Sequence, residues 1–151
     1  MTHLKVGDEA PLFEAKNQNG DTIALKDLRG KKVVLFFYPK DNTPGCTTQA
    51  CNLRDNIDRF NALGYVILGV SIQGEASHQK FIAKHEFPFD LLVDEDKTLN
   101  NLYGVWGEKK FMGRVYDGTH RETFVIDEEG KLIDVITKVK TKEHSTQILG
   151  E

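Results

Sequence analysis

Two cysteines, Cys46 and Cys51, carry the reactive potential of this chain of 151 residues, which has no others. They lie in one continuous stretch: an apolar run Val33–Tyr38, a polar loop Pro39–Gly45, and a segment that begins with Cys46. Only a thiolate attacks, and an ordinary cysteine with a pKa of about 8.5 is a few per cent ionised at neutral pH. Thr43-Pro44-Gly45-Cys46 reads as a helix start, with Thr43 as cap and Pro44 where its missing N–H costs nothing. Cys46 then falls in the first turn, where unpaired N–H groups and the helix dipole favour an anion. Gly45 removes a side chain that would block approach to those N–H groups. Pro39 and Pro44 stiffen the loop and limit water. The Thr43 hydroxyl offers a donor and an acceptor within a turn of the sulfur.

Spacing limits what Cys51 can do. Five helical residues rotate about 140° and rise about 7.5 Å, which puts the two Cα atoms about 8–9 Å apart. A disulfide needs less than about 7 Å, so an intact helix cannot hold one. Either the two cysteines never pair, or pairing requires the first turns to unwind. Cys46 shares the face of Ala50, Leu53, Ile57 and Phe60, with Cys51 nearly opposite. Zinc would call for four ligands and a second Cys or His pair. Here His3, His78, His85, His120 and His144 are scattered singly and read as solvated surface, so no metal is expected. A C-x-x-C exchange motif is absent. A cysteine–histidine hydrolase would need a base; His120 is the one candidate, and nothing in the sequence brings it to Cys46.

The elements that must position this corner follow from periodicity. Residues 11–25 read as a hairpin around Asn19-Gly20-Asp21, because Asn-Gly tolerates positive φ. Lys26 to Lys32 is a charged connector with a single helical turn. Val33–Tyr38 lacks alternation, as in a strand buried on both faces. The helix opened by Thr43 runs along Ala50, Leu53, Ile57 and Phe60 and ends at Gly64. Tyr65–Ile72 is a second buried strand, Ala76–Glu86 a helix closed before Pro88, Phe89–Val93 a short strand and Asp96–Tyr103 a short helix. Residues 104–120 read as a long, Gly-rich surface connection. Glu122–Asp127 and Lys131–Thr137 form a second hairpin, and Lys142–Glu151 a short terminal helix. The order predicts an α/β sandwich with a parallel core and an antiparallel edge, and ligands at the strand C-termini. Pro39–Gly45 lies there.

Composition agrees with one soluble domain: 39% hydrophobic, 28% charged, net charge −3. That balance gives no electrostatic reason to bind nucleic acid or an anionic membrane. Without an apolar leader or a membrane-length window, the expectation is a cytoplasmic chain, where paired cysteines are more often catalytic than structural.

Pro39-x-x-x-Thr43-x-x-Cys46 resembles the active-site pattern of the peroxiredoxins. Thr43-Pro44-Gly45-Cys46-Thr47 with Cys51 is similar to the peroxiredoxin Q, or bacterioferritin comigratory protein, branch. The likeness continues through Asn101–Lys110, Met112-Gly113-Arg114 and His120–Asp127, and covers the chain from Val6 to the last strand. It implies a single domain over residues 1–151, with a thioredoxin-like fold, a central mixed sheet flanked by helices, and an N-terminal β-hairpin. By the same resemblance Cys46 is the peroxidatic cysteine, attacking hydrogen peroxide or an organic hydroperoxide and becoming a sulfenic acid. Thr43 would hydrogen-bond sulfur and peroxide, Pro39 would shield the pocket, and N–H groups at Gly45 and Cys46 would stabilise the departing oxygen. Arg121 would supply a fixed positive charge. Cys51 would resolve the sulfenic acid as an intramolecular disulfide, recycled by thioredoxin or a similar dithiol. No metal, flavin or haem is implied, and the branch is often monomeric, with weak pairing through the active-site edge in some relatives. A redox sensor and a disulfide oxidoreductase are the rival readings; the tail from Ser145 matches the family least.

Overall fold

The computed structural model describes residues 2–151. Strands β1 (Glu14–Lys16) and β2 (Thr22–Ala24) form the N-terminal hairpin, with Gly20 at φ +80° in its turn. A 3-10 turn over Leu25–Leu28 leads into β3 (Lys32–Phe37). This strand supplies the centre of the molecule because both of its faces are covered. Val33, Leu35 and Phe37 enter one apolar cluster, and Val34, Phe36 and Tyr38 enter the other. Period-two alternation therefore splits one apolar run between two cores.

Helices α1 (Pro44–Asp55) and α2 (Ile57–Ala62) follow, then β4 (Tyr65–Ser71), α3 (Glu75–His85), β5 (Asp90–Val93) and α4 (Thr98–Leu102). Strands β6 (Trp106–Phe111), β7 (Arg114–Thr119), β8 (Glu122–Ile126) and β9 (Leu132–Ile136) precede a C-terminal helix α5 (His144–Leu149). The main sheet has the order β5-β4-β3-β8-β9. β3, β4 and β5 run parallel, while β8 and β9 close the sheet antiparallel. The result is the expected mixed sheet with helices on its faces.

Three local expectations are corrected. The helix beginning at Pro44 breaks at Asn56, which has φ −112° and ψ 14°. The Asn56 side chain donates to the Asn52 carbonyl at 2.8 Å, competing with the backbone for that acceptor. Residues 104–120 hold a two-stranded hairpin, not an irregular connection. Its turn, Met112-Gly113, has φ +50° and +77°. Two successive positive φ values suit a tight hairpin, but Met is not a residue that signals one. The histidines are not all solvated: His78 and His144 are fully buried.

Candidate active site

Cys46 lies in the first turn of α1 and is 1% exposed, packed among Tyr38, Ala50 and Leu53. Thr43 occupies the N-cap position, and its carbonyl accepts the Thr47 N–H at 2.9 Å. The hydroxyl does not cap the helix as the sequence suggested. It donates to the Lys40 carbonyl at 2.7 Å instead. Pro44 has no N–H, and those of Gly45 and Cys46 fall where a helix offers no partner of its own. The start of α1 thus keeps its donors beside the sulfur.

Arg121 reaches this point through the sheet. It immediately precedes β8, whose first residue Glu122 pairs with Phe37 at the end of β3. Arg121 Nη2 lies 3.3 Å from Cys46 Sγ, while Nη1 donates to Gln49 Oε1 at 2.7 Å. A Cβ on Gly45 would come within 3.2 Å of Arg121 Nη2. The missing side chain is what lets the guanidinium lie over the helix start. One planar fork thereby spans the Cys46 sulfur and a fully buried amide.

The loop between β3 and α1 is tied down residue by residue. Gln73 Oε1 accepts the Asp41 N–H at 3.0 Å, and Gln73 Nε2 donates to the half-buried Pro39 carbonyl at 3.4 Å. The Asp41 carboxylate accepts from Tyr38 Oη at 2.6 Å and Ser77 Oγ at 2.7 Å, and lies 2.7 Å from His78 Nδ1. Burial pushes the Asp41 carboxyl up, but the bond and charge of His78 and the Tyr38 and Ser77 hydroxyls outweigh it and hold the group below its ordinary value. Tyr38 is pushed well up by burial and by the charge and hydrogen bond of Asp41, with a smaller contribution from Cys46.

The hairpin β6–β7 brings a second cation that the sequence did not single out. Lys109 Nζ donates to the Thr119 carbonyl at 2.9 Å. Burial and the charge of Arg121 lower its pKa, and Cys46 acts in the opposite direction. Only the folding of residues 104–120 into a hairpin reveals this proximity; four consecutive residues Gly107-Glu108-Lys109-Lys110 carry no such signal. His120, the candidate base of a hydrolase, has its Nε2 at 3.0 Å from the Glu108 carbonyl, and no contact with Cys46 is formed.

Cys51 is half-buried at the edge of the apolar cluster that holds Cys46; α1 is continuous from Pro44 to Asp55, and both cysteines are free. The Cys51 side chain borders an open groove of about 380 Å³ with Thr47, Thr48, Asn52 and Lys142. The neighbouring Asn52 is fastened to the C-terminal segment. Its Nδ2 donates to the Lys142 carbonyl at 3.0 Å, and its Oδ1 accepts the Ser145 N–H at 2.7 Å. His144, beside this clamp, lies 2.8 Å from Thr123 Oγ1 and 2.9 Å from Gln147 Oε1. Burial lowers its pKa to about 4, helped by the charge of Arg121 and opposed by the Gln147 bond. The neutral ring thus donates from Nδ1 to Gln147 and accepts at Nε2 from Thr123. Among the described residues no group of three or more His, Cys, Asp or Glu side chains could hold a metal ion. No helix among them is long and apolar enough to cross a membrane.

A profile of the AhpC/TSA family matches residues 6–135. A putative peroxiredoxin bcp from Haemophilus influenzae is 49% identical over 149 residues, covering 99% of this chain and 96% of the relative. The peroxiredoxin Bcp of Bacillus subtilis is 47% identical over 146 residues, covering 97% and 93%. A cysteine-to-serine variant of PrxQ from Xylella fastidiosa superposes with a TM-score of 0.92 at 29% identity, covering 99% of this chain and 96% of that one. The bacterioferritin comigratory protein of Xanthomonas campestris, characterised for alkyl peroxide reduction, superposes with a TM-score of 0.87 at 33% identity, covering 95% and 96%.

Proposed function

The chain belongs to the AhpC/TSA family of peroxiredoxins, thiol-dependent peroxidases of thioredoxin-like fold, and from that premise we propose that Cys46 is the thiol that reduces the peroxide. The observation that carries this reading is the guanidinium of Arg121 at 3.3 Å from Cys46 Sγ. A fixed cation lies against the sulfur at a helix start with open N–H groups, where sulfur and an incoming peroxide can be held together. Cys46 is the catalytic nucleophile of the scheme, and Arg121, Thr43 and the Gly45–Cys46 backbone contact the peroxide.

In the first step the Cys46 thiolate attacks the terminal oxygen of hydrogen peroxide or an organic hydroperoxide. The S–O bond forms as the O–O bond breaks. Cysteine leaves as sulfenic acid, and the departing oxygen takes a proton to become water or an alcohol. Because the Thr43 hydroxyl spends its hydrogen on Lys40, it offers its lone pairs to the O–H of the incoming peroxide. Developing charge on the departing oxygen meets Arg121 and the N–H groups of the first turn. Pro39, held by Gln73, walls the approach.

In the second step Cys51 attacks the Cys46 sulfur, hydroxide leaves as water, and an intramolecular disulfide forms. The helix must unwind between the two residues first, since its geometry keeps their Cα atoms about 8–9 Å apart. The open groove beside Cys51 supports access for a dithiol such as thioredoxin, whose two thiols are oxidised as the pair is regenerated. With two cysteines in the chain, resolution needs no second subunit. The proposed working form is one domain, residues 1–151, acting as a monomer in the reducing cytoplasm.

The test is stopped-flow mixing with hydrogen peroxide and with an organic hydroperoxide, followed by mass spectrometry of both cysteines. Cys46→Ser should consume no peroxide. Cys51→Ser should complete one turnover and stop at the sulfenic acid or beyond. Steady turnover by Cys46→Ser with a dithiol donor would refute the assignment.

A further inference from the structure

The groups around Cys46 account for its chemistry but not for what fixes the loop that presents Thr43. That loop has little apolar anchorage: Lys40 and Asn42 are exposed, and Asn42 adopts φ +60°. A non-glycine residue keeps such a conformation where its surroundings determine it. The determinant lies one residue earlier. Asp41, midway between Pro39 and Thr43, is 6% exposed and receives the Tyr38 and Ser77 hydroxyls and the His78 ring.

We propose that Asp41 and His78 are positioning residues for peroxide reduction, locking the Pro39–Thr43 loop in the one placement where Thr43 and the start of α1 can hold a peroxide together. The proposal rests on Cys46 being the thiol that attacks.

Residue chemistry explains why these two types are used. A carboxylate accepts from three donors at once, whereas asparagine would keep one oxygen and set its NH2 either against the Tyr38 hydroxyl or against Ser77 and His78. His78 is fully buried and bridges two elements. Nδ1 faces the loop carboxylate, and Nε2 lies 2.8 Å from the Leu92 carbonyl on β5. Both ring nitrogens face acceptors, so the ring ties the loop carboxylate to the β5 carbonyl.

The connection runs to β5 and α3 and not to α1. This matters because α1 is the element that must unwind if Cys51 is to reach Cys46. A loop fastened to the sheet keeps Thr43 and Pro39 in place while the helix opens, and the pocket re-forms when the helix rewinds.

The test compares two electrophiles on the purified full chain at one fixed pH. Hydrogen peroxide needs the assembled pocket; iodoacetamide needs only an accessible thiolate. In Asp41→Asn and His78→Gln the rate constant for peroxide should fall at least about tenfold, while that for iodoacetamide changes less than about twofold. Ser77→Ala and Tyr38→Phe, which delete one neutral donor each, should lower the peroxide rate by about two- to fivefold with the iodoacetamide rate kept. Wild-type selectivity for peroxide in all four variants overturns the proposal. So does a parallel fall of both rates, which marks a general loosening. If Asp41→Asn and His78→Gln do not fold, the two hydroxyl variants decide by the same ratio. Should the wild type itself show no preference for peroxide over iodoacetamide, it is the peroxidatic reading of Cys46 that fails.

Discussion

Arg121 and Cys46, 75 residues apart in sequence, are joined by an N–H to sulfur contact of 3.3 Å. The same guanidinium also holds Gln49, so its orientation does not rest on the sulfur alone. Arg121→Ala should lower the peroxide rate about 100-fold, the scale of about 2–4 kcal/mol for a lost preorganised donor. Arg121→Lys keeps a charge but cannot span both partners, and should lose about tenfold. Stopped-flow peroxide rates of the two variants check both values. A wild-type rate in Arg121→Ala would remove the arginine from the reaction.

Gly45 gives a steric version of the same test. Its backbone is helical, so alanine there brings no backbone strain, only a methyl group 3.2 Å from Arg121 Nη2. Gly45→Ala should therefore leave thermal stability within about 1 kcal/mol of wild type, or raise it through helix propensity. The peroxide rate should nonetheless fall several-fold as the guanidinium is displaced. A wild-type rate would mean that Arg121 yields without consequence.

Asn52 links the proposed resolving step to the C-terminus. Its side chain fastens α1 to Lys142 and Ser145 just beyond Cys51. Asn52→Ala should cost about 1–3 kcal/mol of stability through the lost partners. It should also speed amide exchange in α1 and the formation of the Cys46–Cys51 disulfide, followed by rapid quench and mass spectrometry. Slower or unchanged disulfide formation in a folded variant would show that the clamp does not restrain the unwinding.

His144 makes stability depend on pH. Burial lowers its pKa from about 6.5 to about 4 in the folded chain, so between these values the unfolded chain binds more protons. Its contribution is complete above about pH 6.5 and is lost as pH falls toward 4. Between pH 7 and pH 5 the loss should be about 2 kcal/mol. The Asp41 carboxyl, held below its ordinary 3.8, loses its own contribution only at lower pH. Urea denaturation at both pH values, on wild type and His144→Asn, should show a shallower dependence in the variant. Equal slopes would exclude the buried imidazole as the source.

Much of this molecule was settled locally. The apolar run at residues 33–38 marked a strand covered on both faces, and Thr43-Pro44-Gly45-Cys46 marked a helix start, because strand and helix periodicity and capping are properties of neighbours in sequence. The five-residue spacing of Cys46 and Cys51 ruled out a disulfide within an intact helix by geometry alone. Resemblance, not periodicity, pointed to Arg121. Its placement depends on β8 lying antiparallel beside β3, a pairing that no local signal encodes. The hairpin that brings Lys109 near the thiol was hidden because its turn uses Met112 and its strands are largely exposed, so no apolar alternation had to appear. His78 and His144 looked like surface residues for a related reason. A buried polar side chain is revealed by its partners, and Asp41, Leu92, Thr123 and Gln147 become partners only when helices α3 and α5 close onto the sheet. The sequence by itself determined the strand, the helix start and the thiol of the Cys46 corner; tertiary structure alone decided which distant charges and hydrogen bonds surround that thiol, because these depend on strand order and helix packing.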